Sequence, residues 1–229
     1  MDLDRAHIAQ RQDGYLVNHY MGLHVTIVSV ALGIAGVAAA SLLTARQVPL
    51  EHRLLFGSLW VASILATTAA YAGATTGSFA LPPRIPAMWD LLIPLLIAVA
   101  EFLLFAVLVA QVTDTPDPRT VVVVWFCCFS VFALLSTVAV ARARHLFKVT
   151  AYAGDIASDV AWYVRRLNRD MVSASTAAAI GLGGGIVQLR YAHLALTQAY
   201  GFSIVVIAVL VGALISQGRT AKVWRRALS

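Results

Sequence analysis

Six long runs of apolar residues, separated by short polar interruptions, dominate this chain. They cover approximately Met21–Thr44, Leu54–Gly77, Leu91–Val112, Val121–Ala141, Val172–Leu189 and Gly201–Gln217. Each is near the ~20 residues that a helix needs to cross the hydrocarbon core of a bilayer. The fifth run is the shortest and the least hydrophobic. The expectation is an all-α, polytopic membrane protein with six transmembrane helices filling residues 21–217.

Polar pattern marks what lies outside the lipid. Four of the loops are short, and the Pro-rich ones among them read as turns. Two longer segments have room for structure of their own: a mixed-charge N-terminal arm, residues 1–20, and the connection from Arg142 to Asp170. In that connection Tyr152, Ile156, Val160, Tyr163, Val164 and Leu167 recur at three- and four-residue steps, while Asp155, Asp159, Arg166 and Arg169 fall elsewhere around the helix. This is the pattern of an amphipathic helix between spans four and five. It suits a helix lying on the inner leaflet, packing under the bundle or docking a partner. The last twelve residues, 218–229, form a basic tail.

Charge then sets the orientation. Cytoplasmic loops retain Lys and Arg, and thirteen of the seventeen basic residues fall on one side if both termini are cytoplasmic. The four on the other side are Arg46, Arg53, Arg119 and Arg190. Dropping the fifth span would put the basic tail on the wrong side. The reading is an integral protein of the plasma (inner) membrane, N-in and C-in, with the first span serving for insertion rather than a cleaved signal peptide. Composition agrees: 60% of residues are apolar and only 12% charged, with a mean hydropathy of +0.80. The net charge of +6 follows from the inside bias and attraction to anionic lipid, so nucleic acid is not an expected partner.

Small residues recur where helices are expected to touch. Span two carries Ser58, Ala62, Ala66, Ala70 and Ala74, beside Ala69, Gly73 and Gly77. Span five carries Ser173, Ala177, Gly181 and Gly185, and span one offers Ser29 with Gly33 and Gly36 with Ala40. Such rows let backbones approach closely in lipid. Spans two and five would be the middle helices of two inverted three-helix halves, a transporter-like symmetry with no residue-level repeat behind it.

One ionisable side chain lies deep in a span. Glu101 sits at the midpoint of the third run, and no other Asp, Glu, Lys, Arg or His lies deep in any of the six. A charged group at the bilayer centre costs roughly 2.5–3.5 kcal/mol on insertion scales. The functional readings are a cation or proton site, or an acid facing water. The structural alternative is a protonated carboxyl hydrogen-bonded to a neighbouring hydroxyl, for which Thr67, Thr68, Ser130, Ser136 and Thr137 are candidates. Pro94, less than two turns earlier, removes a helix hydrogen bond.

Span five contains Gly183, Gly184 and Gly185 in succession. Each glycine weakens a helix by roughly 1 kcal/mol relative to alanine. The run suggests a break or hinge that lines a cavity, or a point of close contact where two helices cross. Gln188 and Arg190 follow near the outer boundary, where Arg190 either reaches the headgroups or supplies positive charge to a path.

Other chemistry is poorly represented. Cys127 and Cys128 are adjacent within a span, where successive side chains point about 100° apart, and read as small apolar filler. His24 with His145, and His52 with His193, match in depth as haem ligands must, but boundary histidines often do. There is no HExxH pair, no Gly-x-Ser-x-Gly elbow and no nucleotide-binding loop. Neither an enzyme nor a cofactor is expected. The leading expectation is a small oligomeric membrane channel or transporter for an ion, proton or small solute. Its candidate site residues are Glu101, Gly183, Gly184, Gly185, Gln188 and Arg190. The alternative is a non-transporting anchor or scaffold, in a less favoured version haem-binding, that holds a protein partner through residues 142–170 and the tail.

Overall fold

The computed structural model describes residues 21–44, 48–78, 88–113, 117–149, 156–191 and 196–227. These form six helices: α1 (Met21–Thr44), α2 (Leu50–Ser78), α3 (Met88–Thr113), α4 (Pro118–Val149), α5 (Ile156–Arg190) and α6 (Leu196–Ala227). There is no strand among the described residues. All six helices are long and apolar enough to cross a membrane. The N-terminal arm, His193 and most of the loops lie outside the described residues.

Several helices run past the apolar stretches that announced them. α4 continues eight residues beyond Ala141, through Arg142, Arg144, His145 and Lys148. α5 begins sixteen residues before Val172. Apolar composition reports where lipid is, whereas the hydrogen-bond ladder of a helix continues into water without penalty when a neighbour supports it. Here the neighbour is the partner helix. Phe147 packs edge-on against Tyr163, with ring centroids 5.1 Å apart, and Val160 and Leu167 join them in a small buried cluster. From Ile156 onward the amphipathic pattern falls on the first turns of α5, which is continuous with the span. Tyr152 lies outside the described residues.

The helices pack α1 on α3, α3 on α4, α4 on α5, α5 on α6 and α6 on α2, and α2 also touches α1, α3 and α4. α2 is thus the central helix. It runs parallel to α6: the Ser58 and Ser203 hydroxyls share a hydrogen bond of 2.7 Å near one end. Near the other, Gln217 donates from Nε2 to the Ala69 carbonyl at 3.0 Å. Ala62 and Ala66, from the small-residue row of α2, are fully buried between these two ties.

An aromatic core on α4 fills the middle. Trp125 stacks on Phe129 at 5.2 Å and meets Phe126 edge-on at 5.3 Å. Phe126 in turn meets Phe202 of α6 edge-on at 6.2 Å. Each such pair contributes about 0.5–1.5 kcal/mol beyond simple burial. In lipid, where no hydrophobic drive pulls helices together, this dispersion contact does much of the holding.

Candidate functional site

α3 has two faces. Ile93, Ile97, Ala98, Ala100, Leu104, Phe105 and Leu108 are buried, while Leu95, Leu96, Val99, Phe102 and Leu103 are exposed. The buried positions recur at three- and four-residue steps, as a helix packed on one side requires. Glu101 falls at the centre of the buried face and halfway along the helix, and its exposure is 0%. Neither Oε1 nor Oε2 has a hydrogen-bond partner among the described residues. The bundle therefore encloses a carboxyl group to which no described residue offers a hydrogen bond.

The hydroxyl neighbours expected for Glu101 do not supply that bond. Thr68 donates to the Ile64 carbonyl at 2.7 Å and Ser130 to the Phe126 carbonyl at 2.7 Å. Ser136 and Thr137 donate to Phe132 and Ala133, both at 2.9 Å. Each hydroxyl bonds the carbonyl four residues back in its own helix, a common use of Ser and Thr in lipid. Thr67 is the exception. It is buried on α2, which packs against α3, and its Oγ1 has no hydrogen-bond partner among the described residues. Pro94 does not stop α3, which is continuous from Met88 to Thr113.

The glycine run does not break its helix. α5 is uninterrupted from Ile156 to Arg190, which corrects the expectation of an unwound segment. The glycines make room instead. A Cβ at Gly184 would lie 3.1 Å from the Phe126 ring, and one at Gly181 would collide with Ser130 Oγ and approach the Phe126 carbonyl to 3.3 Å. Gly185 faces Phe126 and Cys127 at ordinary contact distance, while Gly183 points into open space. This is the crossing point of α4 and α5. Backbone in lipid has no water to turn to, so three glycines cost less helix here than their propensity in water implies.

Gln188 is 3% exposed, and its Nε2 has no partner among the described residues. Arg190 is exposed at the end of α5. The candidates therefore separate: Gly184, Gly185 and Gln188 share the buried side of α5, Gly183 and Arg190 do not, and Glu101 lies on α3, a helix with no extensive contact to α5.

Two further features leave no mark in the sequence pattern. Arg166, placed on the polar side of the amphipathic pattern, is buried, with its Nε 3.5 Å from Asp170 Oδ2. Trp125 donates its indole N–H to the Ser63 hydroxyl at 3.0 Å across α4 and α2. Cys127 and Cys128 are free. Of the histidine pairs, His52 is half-buried and His145 exposed, while the side chains of His24 and His193 lie outside the described residues. No cluster of three or more His, Cys, Asp or Glu suited to a metal occurs among the described residues. Searches of protein-family models, curated proteins and solved structures gave no match to this chain.

Proposed function

We propose that the chain is a small membrane channel or transporter for an ion, a proton or a small solute, with Glu101 as its titratable element. One observation carries this reading: a carboxyl group fully enclosed at mid-span, with neither oxygen hydrogen-bonded by any described residue. Leaving such a group unsatisfied in hydrocarbon costs several kcal/mol. Water, a bound cation or an exchanging proton would meet that need, and each of these is a component of transport. Thr67 Oγ1, buried and unpartnered on the adjacent helix, is a second polar atom available to the same path.

The anchor reading needs Glu101 to pair with a basic or hydroxyl group on a partner's helix. Enclosure of the carboxyl within its own chain weighs against that pairing. Self-association rests on different residues. On α1, Ser29, Gly33, Gly36 and Ala40 lie on the exposed side, while Ala31, Ala35 and Ala38 face the bundle. An exposed small-residue row suits helix packing against a second copy.

In this reading the end of the bundle holding Asp90 and Arg142 is cytoplasmic, as are both termini, and the membrane is the plasma (inner) membrane. The α4–α5 hairpin projects there as the collar of the path and serves as the surface for any protein partner. Gln188 and Arg190 stand at the outer mouth. Gly183, with open space beside it, is the one glycine of the run free to line a cavity.

The test is flux. Protein reconstituted into liposomes should dissipate an imposed proton or cation gradient faster than empty vesicles, and Glu101→Gln should slow that flux at least tenfold. Wild-type protein that moves neither protons nor common ions would sink the proposal.

A further inference from the structure

The lower part of the α4–α5 hairpin carries cationic groups that the chain leaves partly unspent. Phe147 packs on Tyr163 near one end and Phe126 lies against Gly184 higher up, so the two helices are antiparallel and in register between these points. That register sets Arg144 level with Arg166. Arg144 Nε and Arg166 Nη2 are each buried, and neither has a hydrogen-bond partner among the described residues. Arg166 is 7% exposed yet spends only its Nε, on Asp170. Arg165 and Arg169 are exposed beside it. A buried guanidinium donor without an acceptor is costly, and planar N–H forks are suited to phosphate oxygens.

The surroundings say what kind of phosphate this is. The same register sets Val138 level with Val172, one to two turns above the arginines, and both are exposed. Val131 and Leu134 extend that exposed apolar surface away from the charge. Trp89, exposed on α3, adjoins Asp90, whose carboxylate pairs with Arg142 at 3.2 Å. Exposed tryptophan at a boundary between apolar surface and charge marks headgroup depth. An acyl chain alongside Val138 and Val172 would bring its own phosphate to the arginine level.

From this arrangement we infer that the arginine belt around the α4–α5 hairpin, centred on Arg144 and Arg166, is a binding site for the headgroup of an anionic phospholipid. The apolar flank receives the acyl chain and the guanidinium groups receive the phosphate and its net negative charge. This site does not involve Glu101, and its lipid binding is measured without any transport assay.

The experiment titrates the full-length protein in neutral detergent with phosphatidylglycerol, phosphatidylcholine or inorganic phosphate. Bound lipid is read by native mass spectrometry. Phosphatidylglycerol should be retained in preference to phosphatidylcholine, and Arg144→Gln should weaken its binding about fivefold, the worth of one basic residue near a membrane surface. Arg169→Gln, an exposed position that leaves the Arg166–Asp170 pair intact, should weaken it in the same direction. Arg190→Gln at the opposite end should bind as wild type does. Equal retention of the two lipids, or unchanged binding in both Arg144→Gln and Arg169→Gln, would overturn the site. Displacement of phosphatidylglycerol by millimolar inorganic phosphate would overturn its assignment to lipid.

Discussion

The indole N–H of Trp125 donates to the Ser63 hydroxyl at 3.0 Å, in a part of the core where both residues are fully buried. Ser63 passes the bond on, donating to the Leu59 carbonyl at 2.9 Å. The pair ties α4 to α2, the helix around which the others are arranged. It also accounts for one of the two conspicuous hydroxyls on that face of α2, leaving Thr67, one turn on, without an equivalent bond among the described residues.

Replacing Ser63 with alanine strands the Trp125 donor in a dry core. The expected loss is about 1–3 kcal/mol, the cost of an unsatisfied buried group. Thermal unfolding in detergent should show a lower midpoint for Ser63→Ala than for the double variant Ser63→Ala/Trp125→Phe, in which no donor is stranded. A double variant less stable than the single would show that the tie is packing rather than hydrogen bonding.

The glycines of α5 should respond unequally. Gly181→Ala drives a methyl into Ser130 and toward the Phe126 carbonyl, and overpacking of this kind costs typically about 1–3 kcal/mol. Gly183→Ala meets open space and gains helix propensity of up to roughly 1 kcal/mol. Comparing the two unfolding midpoints checks the crossing geometry. Equal destabilisation would mean that α4 and α5 do not meet on the Gly181 side.

Much of this fold was readable from the chain because lipid is a severe solvent. A segment of about 20 apolar residues has few options in it except to be a helix, and all six runs became one. The small residues at Ala62, Ala66, Gly181 and Gly185 were read as contact positions and are buried. Three things were not legible. Whether Gly183–Gly185 breaks its helix or marks a crossing stays open in the sequence because propensities describe helices in water, whereas here Phe126 packs into the groove beside Gly184 and Gly185. The hydroxyls offered to Glu101 turned to their own helices, a choice that composition does not reveal. Arg166 falls off the apolar stripe of its helix yet is buried, because the periodic pattern of one helix cannot show what covers its other side.

The exposed row on α1 predicts its own phenotype. Gly33→Ile and Gly36→Ile put large side chains on exposed positions where a Cβ meets none of the described residues within 4 Å, so the monomer fold should be little affected. Association of copies through this row should be lost. Light scattering on the purified protein should report a smaller particle for the double variant. An unchanged particle mass would move the interface elsewhere.

The Arg142–Asp90 pair joins α4 to α3 near the boundary, with side chains 33% and 14% exposed. Partial exposure limits its worth to about 0.2–1 kcal/mol. Asp90→Asn should lower stability by that amount, and less so in high salt, where exposed charges are screened. A double-mutant cycle with Arg142→Gln would isolate the coupling. A coupling of several kcal/mol would mean that the pair is far drier than its exposure implies.

The central claim is that Glu101, though enclosed by protein and hydrogen-bonded by none of the described residues, meets water along a path through the bundle. Infrared spectroscopy of the reconstituted protein, as a difference between wild type and Glu101→Gln across a pH series, reads that contact through the protonated carboxyl stretch. The account predicts a band that belongs to Glu101, grows as pH falls and shifts within minutes of replacing water with D2O. A Glu101 band that stays unshifted for hours in D2O, or no such band at any pH, would contradict it.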